Sequence, residues 1–332
     1  MYPFGPQHEI RQSSIEWLAS APRKDSNLTN PNDDYVKWLD TVAAEARFGA
    51  DDKIGTANYI DSAARQRAAE SIKTGACLSL ARPLVLESDD PDATLKTQVT
   101  VEPCETFGHR PPFVGGPVMF GADVVQVYAH GQQQTHLDAI NHIGRNNQWY
   151  NGFAVDDPNG PDLAGIVNHK LFTRAVVCDI PAVRGTKWVD PTQPVMGNDI
   201  DAALKAGGVS FERGDALILY MGRDRYEAAG NVMDLYAGCA TPGAGSDAAR
   251  WLVEHEASLV CWDFLDGVSD GEPVFQVHML IWAIGLLLVD NCDLGPVAAA
   301  VHESGQITGG LVVAPPALPR ATGSLVSPLF IQ

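Results

Sequence analysis

Apolar residues at Tyr35, Trp38, Leu39, Val42 and Ala46 repeat with the period of one helical face, which predicts an amphipathic helix ended by Gly49. Asp61 is placed to cap a second helix over 62–74, with Gly75 as its terminator. Downstream the pattern changes to short apolar, often β-branched runs bounded by turn residues: 76–80, 123–128, 174–180, 216–221 and 259–262. Such runs predict buried strands. Helices are expected between them at 200–206, before Gly207 and Gly208, and at 247–256, where Ser246 is the candidate cap. The apolar stretch 279–289 is too short to span a membrane and reads as a buried element. The alternation predicts an α/β fold. No repeat or linker divides it, and the Pro- and Gly-rich stretch 103–117 reads as a long active-site loop.

Composition narrows the picture. With 45% hydrophobic and 19% charged residues among 332, the chain can bury a large core. Its net charge of −18 repels phosphate backbones and anionic lipid surfaces, so nucleic acid and membrane are not expected partners. The start, 1–14, carries neither a basic leader nor an apolar run. The six cysteines are scattered without a CxxC pair, as free thiols are in a reducing compartment. A cytoplasmic protein with a small-molecule substrate is the expectation.

Chemistry concentrates in one segment. Between His130 and His142 lie three of the nine histidines and one aspartate. If a strand runs through it, His136 and Asp138 share a face, with Gln132 and His130 further along it. His142 follows Asp138 by four residues, so a turn into helix would return it to the same cavity, to bind metal or move protons. Imidazole and carboxylate without thiolate suit a catalytic zinc or manganese ion. Isolated HxD pairs are usually packed or hydrogen-bonded residues; the clustering favours a site. Trp149, Tyr150 and Phe107 are candidate walls of a pocket for a flat substrate, a role that competes evenly with plain packing. Asp263 and Asp266, after the run 259–262, read as an Asp-rich turn more readily than as functional groups.

The segment His130-Gly131 with Thr135-His136-Leu137-Asp138-Ala139 and His142 resembles the signature of the metal-dependent cyclase-like hydrolases, a family that includes kynurenine formamidase, isatin hydrolase and trans-dienelactone hydrolase. Asp51-Asp52-Lys53-Ile54-Gly55-Thr56-Ala57-Asn58 resembles the family's D-x-x-G-T-x-N stretch, Tyr150-Asn151-Gly152 its YNG, and Gly214-Asp215 with Gly222-Arg223 its strand ending in GR. The resemblance spans residue 50 to the end. It implies a mixed-sheet swivelling β/β/α fold over 51–332; the residues before it, 1–50, read from their own pattern as a helical extension, and a homo-oligomer is expected.

The resemblance also implies a distal half of the site. His278 and Asp290 match a later family histidine and a glutamate twelve residues on, and join His136 and Asp138 as metal-site residues. It supports His142 as the proton carrier, a role that suits a side chain titrating near neutral pH. Two positions depart from the pattern. Gln132 stands where shorter members carry a ligand histidine, which His130 could replace unless it contacts substrate instead. Asp290 is shorter than glutamate by one methylene, which favours one tightly held metal and leaves a second open. The implied reaction is hydrolysis at a carbonyl carbon bonded to nitrogen or oxygen. The alternatives are ring closure or dehydration on the same fold, and a non-hydrolytic ligand-binding protein.

Overall fold

The computed structural model describes residues 31–84, 100–101, 125–126, 129–234, 240–269, 272–273 and 275–332. Phe107, the 103–117 loop, Cys104, Cys239, residues 1–30 and most of the expected strand 123–128 lie outside them. Nine strands form one mixed sheet in the order β1 (Cys77–Ser79), β13 (Leu329–Ile331), β11 (Thr308–Val313), β5 (Leu171–Asp179), β6 (Ala216–Tyr220), β8 (Leu259–Trp262), β10 (Leu287–Asp290), β4 (His136–Asp138) and β12 (Gly323–Leu325), while β2 (Thr100–Val101) pairs with β3 (Val125–Gln126) and β7 (Gly243–Ala244) with β9 (Leu265–Asp266). The middle four, β5, β6, β8 and β10, are parallel, and antiparallel strands flank them on both sides. Their near-continuous apolar sequences explain that place, because a central parallel strand is covered on both faces. Leu217, Ile218, Val260, Leu288 and Val289 are fully buried, each contributing about 1.5–3 kcal/mol of transfer free energy.

Several expected elements are present with shifted ends. The first helix runs Pro31–Ala44, and its Tyr35, Leu39 and Val42 enter the same core as the sheet. Asp61 caps the helix Ser62–Ser71 by accepting from the Ala64 N–H. That helix stops before Thr74 because the N–H groups of Thr74 and Gly75 donate to the Gln332 carbonyl. Ser246 is not the cap of the next expected helix, Ser246–Glu254; Gly245 holds that position, and the Ser246 N–H donates to Glu272. The apolar stretch 279–289 divides at Gly285, with φ +66°, into a helix Met279–Ile284 and β10. Cys178, Cys261 and Cys292 are buried thiols, but Cys77, on the edge strand β1, is exposed. Among the described residues no helix is long and apolar enough to cross a membrane.

Two of the sequence motifs lock onto each other. Asp52 accepts from the Ile54 and Gly55 N–H groups, the Asn58 amide and the Tyr150 hydroxyl. Asn151 donates to the carbonyls of Gly49, Ala50 and Asp52. Gly55, with φ +54°, lies so close to Gly285 that a Cβ would fall 2.2 Å from the Gly285 oxygen, so only glycine fits. These residues fasten the 50–58 segment to the body of the fold.

Candidate metal centre

The site is assembled on β4. This three-residue strand lies between β10 and β12, with His136 opposite Asp290 and Leu325, and Asp138 opposite Leu288 and Gly323. Strand alternation puts His136 and Asp138 on one face, and the register sets Asp290 beside His136 on that face. At Gly323 a Cβ would fall 2.5 Å from the His130 ring, so the glycine leaves the space that His130 occupies. The strand is shorter than expected: residues 129–134 form bends, so His130 and Gln132 are not aligned by strand alternation. His130 reaches the cluster from its bend by donating from Nδ1 to Asp138 Oδ1 at 2.9 Å, while its Nε2 accepts from the Thr322 hydroxyl at 3.0 Å. His142 returns through a turn rather than a helix, and its ring stacks on His130 with centroids 3.9 Å apart.

Asp138 is the centre. His136 Nε2 lies 3.5 Å from its Oδ1, and His142 Nε2 and His278 Nε2 lie 3.7 and 3.6 Å from its Oδ2. That Oδ2 is buried and has no hydrogen-bond partner. Asp290 Oδ2 is 3.2 Å from His278 Nε2 and 3.9 Å from His136 Nε2. Burial opposes the Asp138 charge, yet the imidazoles of His142, His130, His136 and His278 hold its carboxyl below the usual carboxylate range. Burial pushes the His142 imidazole down to about 4, outweighing the nearby Asp138 carboxylate. At His278 burial also opposes the charge, but the Asp266 and Asp290 carboxylates raise it well above an ordinary histidine.

Two sets of three donors converge within 4.8 Å: His136, Asp138 and Asp290, all buried, and His130, Asp138 and His142. Separations of 3.5–3.9 Å are too long for hydrogen bonds but suit ligands sharing one ion. The buried, unpartnered Asp138 Oδ2 adds the vacant lone pairs a cation would take. His136 is oriented for such a role, since its Nδ1 donates to the Gln134 carbonyl at 3.0 Å and leaves the Nε2 lone pair toward the carboxylates. The donor set therefore fits a divalent ion of the zinc or manganese type.

A buried guanidinium holds the two halves of the site together. Arg223 donates to the carbonyls of Gln132 and Asp263, the Asn291 side chain and Glu227. Asn291 in turn donates to the carbonyls of Gly131 and Gln134. Asp263 accepts four backbone N–H groups, from Met221, Gly222, Arg223 and Phe264, and so organises the strand ends. Removing the guanidinium strands these acceptors. Arg223→Ala is expected to lower stability by about 3–5 kcal/mol, measured by denaturant unfolding, and an effect near zero would refute the clamp.

The remaining expected site residues lie as follows. Gln132 supplies its backbone carbonyl to Arg223. Tyr150 is buried with its hydroxyl on Asp52. Trp149 donates to the Val155 carbonyl at 3.3 Å, and its ring fills the space beside Gly144. Three contributors were not anticipated. Thr322 holds His130; Trp262 donates to Asp290 Oδ1 at 2.5 Å; and Asp266, read as part of a turn, contacts His278. Of these, only Asp266 carried a sequence signal, its position after the strand 259–262.

No curated protein matches the chain. The structure is similar to that of a novel cyclase, with a TM-score of 0.71 at 24% identity, covering 89% of this chain and 99% of that one. It is also similar to isatin hydrolase A from Labrenzia aggregata bound to benzyl benzoate, with a TM-score of 0.55 at 17% identity, covering 79% and 94%. Isatin hydrolase A from Ralstonia solanacearum gives a TM-score of 0.55 at 18% identity, covering 82% and 96%. These likenesses establish a shared fold. The Cyclase family model matches residues 78–266, more than half of the sequence and a span that includes the His130–His142 segment, and the chain belongs to that family.

Proposed function

We propose that this protein is a divalent-metal-dependent hydrolase that opens a carbonyl–nitrogen or carbonyl–oxygen bond in a small molecule. The observation that carries the reading is Asp138 Oδ2, a buried carboxylate oxygen without a hydrogen-bond partner, facing the Nε2 atoms of His142 and His278. His136, Asp138 and Asp290 would hold the ion, with His278 Nε2 turned toward it as a further donor. Bound there, zinc or manganese would acidify a water molecule and polarise the substrate carbonyl.

The chain's own residues supply the rest. His142 is the proton carrier: its Nε2 faces the Asp138 carboxylate at the cluster, placed to accept a proton from water and deliver it to the leaving nitrogen or oxygen. His130 fixes the plane of that ring by stacking on it, and is itself held at both nitrogens by Asp138 and Thr322. Trp262 takes one oxygen of Asp290 and leaves the other turned toward His136 and His278. The names of the structural neighbours add cyclic amides of the isatin type to the candidate substrates.

A panel of formamides, cyclic imides, isatin-like lactams and lactones, offered to chelator-stripped protein before and after reloading with zinc or manganese, tests the reading. The expected result is metal-dependent consumption of one class, with product heavier by one water. Tight substrate binding without turnover would instead identify a ligand-binding protein, and a product lighter by one water would identify a dehydratase.

A further inference from the structure

We propose that Asp266 is a positioning residue for this centre, its buried carboxylate fixing the His278 imidazole with Nε2 toward Asp138 and Asp290. The proposal rests on the hydrolase reading for the presence of an ion, and on the following geometry for the rest. Asp266 is the last residue of β9 (Leu265–Asp266), a short strand paired in parallel with β7 (Gly243–Ala244). The Gly267 N–H donates to the Ala244 carbonyl at 2.9 Å. At Gly243 a Cβ would meet the Gly267 nitrogen at 2.3 Å, so the two strands approach more closely than any side chain allows. Asp266 is therefore held by backbone on a pinned segment, and it is only 3% exposed.

From that position its two oxygens do different work. Oδ1 accepts the Val277 N–H at 2.5 Å, and Oδ2 meets His278 Nδ1. The backbone contact alone would suffice to anchor the turn before the helix Met279–Ile284. The second contact sets the histidine. A carboxylate only accepts, so Nδ1 carries a hydrogen, and Nε2, which hydrogen-bonds Asp290 Oδ2 at 3.2 Å and lies 3.6 Å from Asp138 Oδ2, is the nitrogen left for an ion, its proton being released on binding. The rings of Trp262 and Phe275, with centroids 5.6 and 5.7 Å away, limit rotation of the imidazole. An amide in place of the carboxylate could donate to Nδ1 instead, leaving the ring's one hydrogen on Nε2, where the ion would have to bind.

Zinc titration of wild type, Asp266→Asn, His278→Ala and the double variant, with thermal unfolding as the control for folding, separates positioning from anchoring. Asp266→Asn is expected to weaken zinc binding by about 10–100-fold in the wild-type background, but by less than about twofold once His278 is gone. Equal losses in both backgrounds would mean that Asp266 acts through the backbone, and unchanged affinity would remove it from the centre; either overturns the proposal. A nitrogen-15 histidine spectrum of zinc-loaded wild type gives a check that needs no variant. His278 should be protonated at Nδ1 and shifted by metal at Nε2, and the opposite arrangement would overturn the proposal. Zinc failing to bind wild type at all would defeat the hydrolase reading beneath it, an outcome distinct from binding that Asp266→Asn leaves intact.

Discussion

Asp138→Ala and His136→Ala should each empty the site of its metal ion and abolish turnover while leaving the fold in place. Asp138 is the residue shared by both sets of converging donors, and its oxygens face four imidazoles. No other described carboxylate occupies that point. The backbone of β4 is held by its ladders to β10 and β12, which do not involve these side chains, so the strand survives their loss. An ion present at about 100 times its dissociation constant stabilises the folded state by about 2.7 kcal/mol. Wild type should therefore melt at a higher temperature when zinc or manganese is added, and neither variant should respond. Elemental analysis of the same samples gives the occupancy, and full occupancy in either variant would place the site elsewhere.

His142→Ala should behave differently, keeping the metal and losing about 10²–10⁴ in turnover. His142 lies outside the fully buried trio of His136, Asp138 and Asp290, and its side chain keeps 24% of its surface exposed, as a group that exchanges protons with substrate or solvent requires. The loss should appear in kcat with KM little changed, since the step affected follows binding. Metal loss parallel to that of His136→Ala would make His142 a ligand, and near-normal turnover would make it a structural residue.

How much of this was legible in the sequence depended on whether local pattern or distant partners decided the outcome. The central strands were readable because β5, β6 and β8 are apolar almost without interruption, and the Asp61 cap because one side chain and one N–H settle it. The pairing of His136 with Asp138 followed from strand alternation alone. Partners far along the chain were not readable in the same way. Gln332 truncates the helix after Ser71, Thr322 and Gly323 make room for His130 and hold it, and Glu272 takes the N–H of Ser246. His278 and Asp290 were found only through the family resemblance, since nothing local distinguishes them from packed residues. Asp266 looked like a turn residue because its partner is the side chain of His278, twelve residues on, across a segment whose path the sequence does not reveal. Tyr150 and the 52–58 motif, read separately in the sequence, anchor each other through Asp52.

Anomalous diffraction from crystals of the zinc- or manganese-loaded protein, recorded at the absorption edge of the metal, bears on the whole account at once. A peak should lie within about 2.0–2.2 Å of His136 Nε2 and of carboxylate oxygens from Asp138 and Asp290, and it should vanish in Asp138→Ala. A peak bound by other residues, or none at this cluster in protein shown to carry metal, would contradict it.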